Sequence, residues 1–451
     1  MEKKDVPAID GGEKSRTVFS KRKPKLCIDE LMEIINLWGF SPGSGPEIRK
    51  VLEKYWQGES PHLFRYYHPS GMSETQRFEK EFAAAFKIPY ALAVNSCTSA
   101  LIAACVACGV GPGSEVIVPA HTFFASASAI VAAKAIPVIA EIDGSHTLDP
   151  ADFERKITSS TRAVIAVHMK GLAADMDAIC SIAKERGIFV IEDVAQAAGG
   201  WYKGKRLGTI GDIGCFSLDF YKVITSGEGG VMAFRDEWLY TRAQSYHDTA
   251  ACWRPDRYGR ERKEGELFAG ENYRMSELQA AVALVQLQKL DYIVDNQIKN
   301  YKRIIAGLNL PEGIRPIKDN DPEGGCRTSV GILWPDRESA LYAGEALDAE
   351  GVGGSTHDTD TRDWHVYKYW EHILEKKTAT AEGCPYTCPY YKGKTAYSSG
   401  MCPSTLDFLS RTTFIPVAPE MTEEECGQVA SGINKAACAV KERFQGGRSK
   451  K

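Results

Sequence analysis

Short apolar runs recur along the middle of the chain, each followed by a stretch long enough for a helix. They stand at Tyr90–Val94, Glu115–Pro119, Ala135–Ala140, Ala163–Val167, Ile188–Ile191 and Gly230–Phe234. Runs without polar alternation predict strands buried on both faces. Strands alternating with helices from about Thr75 to Leu290 predict a mostly parallel sheet covered by helices, an α/β domain. After residue 291 the pattern changes. Asp291–Leu308 and Glu338–Glu350 read as helices, and Thr328–Trp334 and Thr412–Val417 as strands. Thr422–Phe444 closes a smaller α+β domain as a further helix. Residues 353–402 are aromatic, Gly- and Cys-bearing, and too long for an idle loop. The division expected is a polar tail at 1–25, a segment 26–74 packing on the small domain, a large domain 75–291, a small domain 292–444 and a tail 445–451.

Composition narrows the function classes. In 451 residues, 55 Lys+Arg face 59 Asp+Glu, which leaves no basic excess for nucleic acid and excludes a disordered polyelectrolyte. No apolar run follows Met1-Glu2-Lys3-Lys4, so no export signal is expected. The most apolar stretch, Phe123–Ala140, is interrupted by Lys134 and Pro137 and makes a poor membrane span. A soluble cytoplasmic protein is expected. Its 13 cysteines, an odd number in a long chain, read as reduced thiols. Cys384 and Cys388, with Cys402 and Cys326, lack the tight paired spacing of a zinc site and have no His between Cys384 and Cys402, so no metal is expected.

Four segments carry candidate chemistry. Lys222 lies among apolar and aromatic residues just ahead of Gly227-Glu-Gly-Gly230. A partly buried amine suits Schiff-base chemistry, although an isolated Lys is more often a solvated surface group. Ser217, five residues earlier, offers a hydroxyl to a phosphate. Asp193 ends the run Ile188–Asp193, at the carboxyl end of a strand, where ligands bind in open α/β sheets. It reads equally well as a helix N-cap. Asn95-Ser-Cys-Thr98-Ser99 follows a strand and opens a helix, which makes either an anion site or an ordinary cap. Phe123, in Pro119-Ala-His-Thr-Phe123, offers a ring to stack on a flat cofactor or to fill a core.

Taken together, these segments resemble the DegT/DnrJ/EryC1/StrS sugar aminotransferases, pyridoxal-phosphate enzymes of fold type I. The family's Ser-Phe-x-x-x-Lys-x-x-Thr-x-Gly-Glu-Gly-Gly run is matched from Ser217 to Gly230, with Leu218 in place of Phe. Its Glu-Asp-x-x-Gln/His run is matched by Glu192–Gln196, and its Ser-Gly-Thr-x-Ala-Leu loop by Ser96–Leu101, with Cys97 in place of Gly. Its Asn-Tyr-Arg run is matched from Asn272. The resemblance covers about residues 75–295 closely and implies a set of roles. Lys222 is the Schiff-base and proton-transfer residue, and Asp193 the partner of the pyridine nitrogen. Gln196 lies near the ring oxygen; Thr98, Ser99 and Ser217 hold the phosphate; Phe123 covers the ring. Asn272 reaches the phosphate of the neighbouring subunit of a homodimer whose active site is shared across the interface.

The implied activity is transfer of an amino group from glutamate or glutamine to a keto- or aldehydo-sugar. The alternative is a pyridoxal-phosphate sugar dehydratase or lyase of the same family. Some dehydrating relatives carry His in place of the Schiff-base Lys, and Lys222 favours transamination. Leu63-Phe-Arg65-Tyr66-Tyr67 and Asp363-Trp-His365 to His372 are similar to the branch that makes 8-amino-3,8-dideoxy-octulosonate, with Arg65 and His365 as candidates for substrate oxygens or carboxylate. As plain sequence Arg65 reads as a surface ion pair and His365 as an interface residue.

Overall fold

The structure is a computed structural model and describes residues 3–18, 24–66, 71–249, 260–357 and 361–445. The tail expected at its C-terminal end lies outside these residues from 446 onward, as do parts of the tail expected at 1–25, and Tyr67. The chain divides into two compact units, Met1–Leu63 and Phe64–Lys451. The first holds α1 (Ile28–Asn36) and α2 (Gly45–Tyr55). α1 starts where Cys27 N–H donates to Glu30 Oε2 at 2.7 Å, half of a capping box that satisfies otherwise orphaned donors.

The second unit begins with α3 (Glu74–Phe86), capped by Ser73 Oγ, which accepts from Gln76 N–H at 3.2 Å. β1 (Tyr90–Val94), α4 (Cys97–Ala107), β2 (Glu115–Pro119), α5 (Ala125–Ala132), β3 (Ile136–Ala140), α6 (Pro150–Lys156), β4 (Thr161–Val167), α7 (Met176–Arg186) and β5 (Phe189–Asp193) then alternate. A hairpin of β6 (Trp201–Tyr202) and β7 (Lys205–Arg206) precedes β8 (Ile213–Ser217) and β9 (Gly230–Phe234). Across the seven-stranded sheet the order is β1-β9-β8-β5-β4-β2-β3. Every neighbour pair is parallel except those of β9, which is antiparallel to β1 and β8. Hence the carboxyl ends of β1, β2, β4, β5 and β8 face one edge. This is the fold type I arrangement, a mostly parallel sheet covered by helices.

Alternation along each strand divides the core between the two faces. Ala91 and Ala93 pack with Phe78, Phe82, Phe86 and Phe216. Leu92 and Val94 pack on the other side with Leu101, Ala104 and Met232. Phe216 meets the rings of Phe82 and Phe86 edge-on at 5.1 and 5.0 Å. Removing it by Phe216→Ala would cost about 3–5 kcal/mol, since the surrounding rings cannot collapse into the void.

α8 (Glu237–His247), α9 (Glu277–Leu287) and α10 (Leu290–Ala306) lead to a second sheet. It contains β10 (Arg315–Pro316), β11 (Ser329–Leu333), β12 (Ser355–Thr356) and β13 (Thr412–Pro416), in the order β10-β11-β13-β12. α11 (Arg337–Ala349), α12 (Glu371–Leu374), α13 (Pro403–Ser410) and α14 (Glu423–Val440) complete the unit. The core beside this sheet is built on Trp334, fully buried, whose Nε1 donates to Thr413 Oγ1 at 3.0 Å. Most of 353–402 lacks regular structure, yet it is anchored. Tyr367 and Trp370 are buried in the core of the seven-stranded sheet, and Tyr367 N–H donates to Ala120 O just beyond β2 at 3.0 Å. That docking carries His365 to the edge where the strands end.

Candidate active site

At that edge lies a cavity of about 690 Å³. Thr98, Phe123, Asp193, Gln196, Ser217, Lys222 and His365 all line it. All but His365 owe their positions to the topology: Asp193 and Ser217 end β5 and β8, and Thr98, Phe123, Gln196 and Lys222 lie on the segments that follow β1, β2, β5 and β8, whose carboxyl ends point there. Three further candidates lie elsewhere. Ser99 faces back into its own turn, its Oγ donating to Asn95 Oδ1 at 2.7 Å. Asn272 pairs as an isolated bridge with Asp248 and does not line the cavity of this single chain. Arg65 is 5% exposed and its Nη2 donates to Glu79 Oε2 at 2.7 Å.

The loop from β1 into α4 is shaped for an anion. Ser96 Oγ caps the helix by accepting from Ser99 N–H at 3.1 Å. Among the described residues no acceptor meets the N–H groups of Cys97 and Thr98, and both residues line the cavity. Two unpaired donors at the positive end of an 11-residue helix attract negative charge. Ser217 Oγ lies across the same cavity. Close approach here depends on Gly230, because a Cβ at that position would stand 2.7–2.8 Å from Ser96 C and Cys97 N.

Asp193 is 5% exposed. Burial pushes its carboxyl above the usual range, against the pull of Ser126, the Ala195 N–H and the charges of Lys222 and His168. Ser126 Oγ donates to Asp193 Oδ2 at 2.8 Å, so the 2.7 Å contact between Thr122 Oγ1 and Ser126 Oγ must have Thr122 as donor. This chain of hydroxyls is invisible in the sequence, where Ser126 is one small residue in an Ala/Ser-rich helix. Its neighbour Glu192 points to the opposite face and accepts from the N–H groups of Gly208, Ile210 and Gly211 at 2.6–2.7 Å and from His168 Nε2 at 3.1 Å. Of the Glu-Asp pair, one acid therefore builds the wall and the other faces the cavity. Gln196 Oε1 accepts from Lys170 N–H at 3.1 Å, which leaves its Nε2 as a donor on the cavity side.

Lys222 is half-buried on the loop between β8 and β9. The loop is tied at both ends: Leu218 N–H donates to Gly229 O at 3.0 Å and Ser226 N–H to Leu218 O at 2.9 Å. Phe123 is 49% exposed at the cavity mouth, with the His365 ring 5.4 Å away. His365 Nδ1 contacts Asp363 Oδ1 at 2.9 Å, and His357 Nδ1 takes Asp363 Oδ2 at 2.7 Å. The four thiols singled out in the sequence are dispersed by environment: Cys326 and Cys402 are buried, Cys388 is partly covered and Cys384 is exposed. Among the described residues no helix is long and apolar enough to cross a membrane.

An amine, a buried acid, an anion cradle and an exposed ring on one cavity fit pyridoxal phosphate, and the comparisons with known proteins agree. The model of the DegT/DnrJ/EryC1/StrS aminotransferase family matches residues 69–384. The spore coat polysaccharide biosynthesis protein SpsC of Bacillus subtilis is 32% identical over 403 residues, 86% of this chain and 92% of that protein. The L-glutamine:2-deoxy-scyllo-inosose aminotransferase of Streptoalloteichus tenebrarius is 40% identical over 290 residues, 62% of this chain and 64% of that enzyme. Among solved structures, S. venezuelae DesV in complex with a ketimine intermediate superposes with a TM-score of 0.65 at 29% identity, covering 93% of this chain and 99% of that one.

Proposed function

The chain belongs to the DegT/DnrJ/EryC1/StrS family of pyridoxal-phosphate aminotransferases, and on that premise we propose that it moves an amino group from glutamine or glutamate to the keto group of a sugar or cyclitol. The observation that carries the reading is the convergence of Lys222, Asp193 and the unpaired N–H groups of Cys97 and Thr98 on one cavity. Relatives named for glutamine and a keto-cyclitol support the donor and the acceptor class. An octulosonate is the finer acceptor we propose, on the Asp363–His372 run.

Pyridoxal phosphate, when bound, supplies an aldehyde for the incoming amine and a ring that takes up the electrons released as the donor's Cα–H bond breaks. Everything else falls to the chain. The N–H groups of Cys97 and Thr98 and the hydroxyls of Thr98 and Ser217 hold the phosphate, with Ser99 buttressing the turn. Asp193 Oδ keeps a proton on the ring nitrogen, and Ser126 and the Ala195 N–H keep that carboxylate charged against its burial. Gln196 Nε2 donates to the ring oxygen, and Phe123 covers one face of the ring. Lys222 Nζ takes the proton from the donor's Cα and returns it during amine transfer, work suited to an amine held beside its target. His365, fixed by Asp363, faces the sugar. In a cytoplasmic homodimer Asn272 completes the phosphate site of the second subunit.

The test is the visible spectrum of the cofactor-loaded protein with L-glutamine, and separately L-glutamate, and no acceptor. Conversion to the pyridoxamine form with one of them is expected and identifies the donor. A cofactor spectrum unchanged by both overturns transamination. Lys222→Ala is the control: it should fold normally, bind cofactor and fail to convert it.

A further inference from the structure

Next to the cofactor cavity lies a second one of about 390 Å³, lined by Lys170, Thr328, Ser329, Ser355 and Phe414 among others. Thr328 lines both cavities, so the two are neighbours. Lys170 is the feature that needs an explanation. Its backbone has φ +54° and ψ +28°, the left-handed region, where a residue with a Cβ is costly. That conformation is held from both sides: Lys170 N–H donates to Gln196 Oε1 at 3.1 Å, and Lys170 O accepts from Ser329 Oγ at 3.3 Å.

The fold thus spends hydrogen bonds on aiming an amine that has no counter-ion among the described residues. Lys170 Nζ lies 5.2 Å from the centroid of the Phe414 ring and makes no ion pair or hydrogen bond with any described residue. Burial lowers its pKa, and among the described residues Asp363 is the carboxylate that opposes this. Both oxygens of Asp363 are already taken, by His357 Nδ1 at 2.7 Å and by His365 N–H and Nδ1 at 2.8 and 2.9 Å. A poorly solvated, unpaired ammonium is unfavourable unless an anion from outside completes it.

We propose that this second cavity is a carboxylate subsite, with Lys170 Nζ as its cation and the hydroxyls of Thr328 and Ser355 as neutral donors. One compact cation flanked by hydroxyls matches a monoanion; a phosphate dianion would call for more positive charge. The cofactor's own phosphate is accounted for separately, at the start of α4. Assigning the carboxylate to a substrate rests on the aminotransferase reading, and it enters with either the amino donor or the sugar acceptor.

Three measurements on the cofactor-loaded protein test this. Calorimetric titration with glutarate, which has no amine and cannot react, should give at least 10-fold weaker binding in Lys170→Met and an intermediate value in Lys170→Arg. The L-glutamine half-reaction should show the same loss of apparent affinity if the donor's carboxylate is the ligand. If the acceptor's is, that half-reaction stays unchanged, and Lys170→Met instead loses the preference of the pyridoxamine form for 5-keto-gluconate over neutral 2-deoxy-scyllo-inosose. Ser355→Ala, at an exposed position, should weaken glutarate binding about 3-fold and serves if Lys170→Met does not fold. Unchanged glutarate binding in these variants overturns the subsite, whatever the enzyme does with glutamine. Glutarate binding that depends on Lys170 in a protein that never transaminates keeps the subsite and overturns only the activity.

Discussion

Arg65 offers the sharpest test of whether a recognised-looking residue is a ligand or a strut. Its side chain is 5% exposed and that of Glu79 10%, with Nη2 and Oε2 2.7 Å apart. Glu79 Oε1 also accepts from Ala93 N–H at 2.8 Å, tying α3 to β1. Arg65→Met keeps most of the volume and removes the charge, leaving a buried carboxylate with one N–H for company. Breaking a buried pair from one side costs about 3–5 kcal/mol. With an unfolding entropy of about 2.1 cal/mol/K per residue over a unit of this size, the melting midpoint should fall by about 4–6 °C. Burial already pushes the Glu79 carboxyl up, with Arg65 and the Ala93 N–H pulling down, so losing Arg65 raises it further. A folded pKa above the unfolded value means the native state binds the extra proton, and the deficit should shrink as pH falls from about 7 toward 5. Arg65→Met/Glu79→Gln should recover part of the loss at neutral pH, since no unpaired charge remains. Thermal melts at several pH values, set beside the L-glutamine half-reaction, decide the matter. A variant as stable as the parent but with a raised KM for donor or acceptor would refute the reasoning and make Arg65 a substrate ligand.

Two substitutions and one labelling experiment probe the site itself. Ser126→Ala removes a charge-assisted hydrogen bond of about 1.5–3 kcal/mol from Asp193, which should raise that carboxyl further. The acid limb of the glutamine half-reaction should move up accordingly while the alkaline plateau stays within a few-fold; a uniform loss at every pH speaks against the hydroxyl chain. Gly230→Ala would drive a Cβ into the Ser96–Cys97 backbone and should weaken cofactor binding at least 10-fold in an equilibrium titration, with unaltered affinity counting against the cradle. Burial raises the Cys97 thiol well above its ordinary value, so brief alkylation at about pH 8 should label exposed Cys384 and Cys438 and spare Cys97, as read by peptide mass spectrometry.

What could be read from the sequence was what local pattern encodes. Tyr90–Val94, Glu115–Pro119 and Gly230–Phe234 were legible to the residue because each is a continuous apolar run between turn residues. β8 was harder: Ile213-Gly-Cys-Phe-Ser is short, carries a glycine and continues straight into the lysine motif. The reversal of β9 has a reason within reach of the sequence, since no helix lies between Ser217 and Gly230 and a parallel return would need one. Side-chain pairing over distance left no trace. The Arg65–Glu79 pair spans a helix start and fits no helical spacing, and in the chain from Thr122 through Ser126 to Asp193 the link between Ser126 and Asp193 joins residues 67 positions apart. Lys170 was passed over for a related reason: what marks it is the lack of a counter-ion among the described residues, a property of the folded surroundings.

Cys97, where the family resemblance leads one to expect glycine, shows how a motif can change a residue and keep its physics. A glycine is indispensable where φ is positive or where a Cβ would collide, and Cys97 is not among the positive-φ positions. It opens α4 just after Ser96, whose φ of −166° is ordinary extended backbone. The side chain is 9% exposed and packs with Leu92, Val94, Leu101 and Cys215, so it adds to the core on that face while still bordering the cavity. What an anion would meet at this turn is the N–H of residue 97, and a main-chain donor is the same in cysteine as in glycine. The position that cannot change is the one across from it. Gly230 has an allowed φ but stands against the Ser96–Cys97 peptide, so the constraint usually credited to the cradle's own glycine rests, in this chain, on the strand behind it.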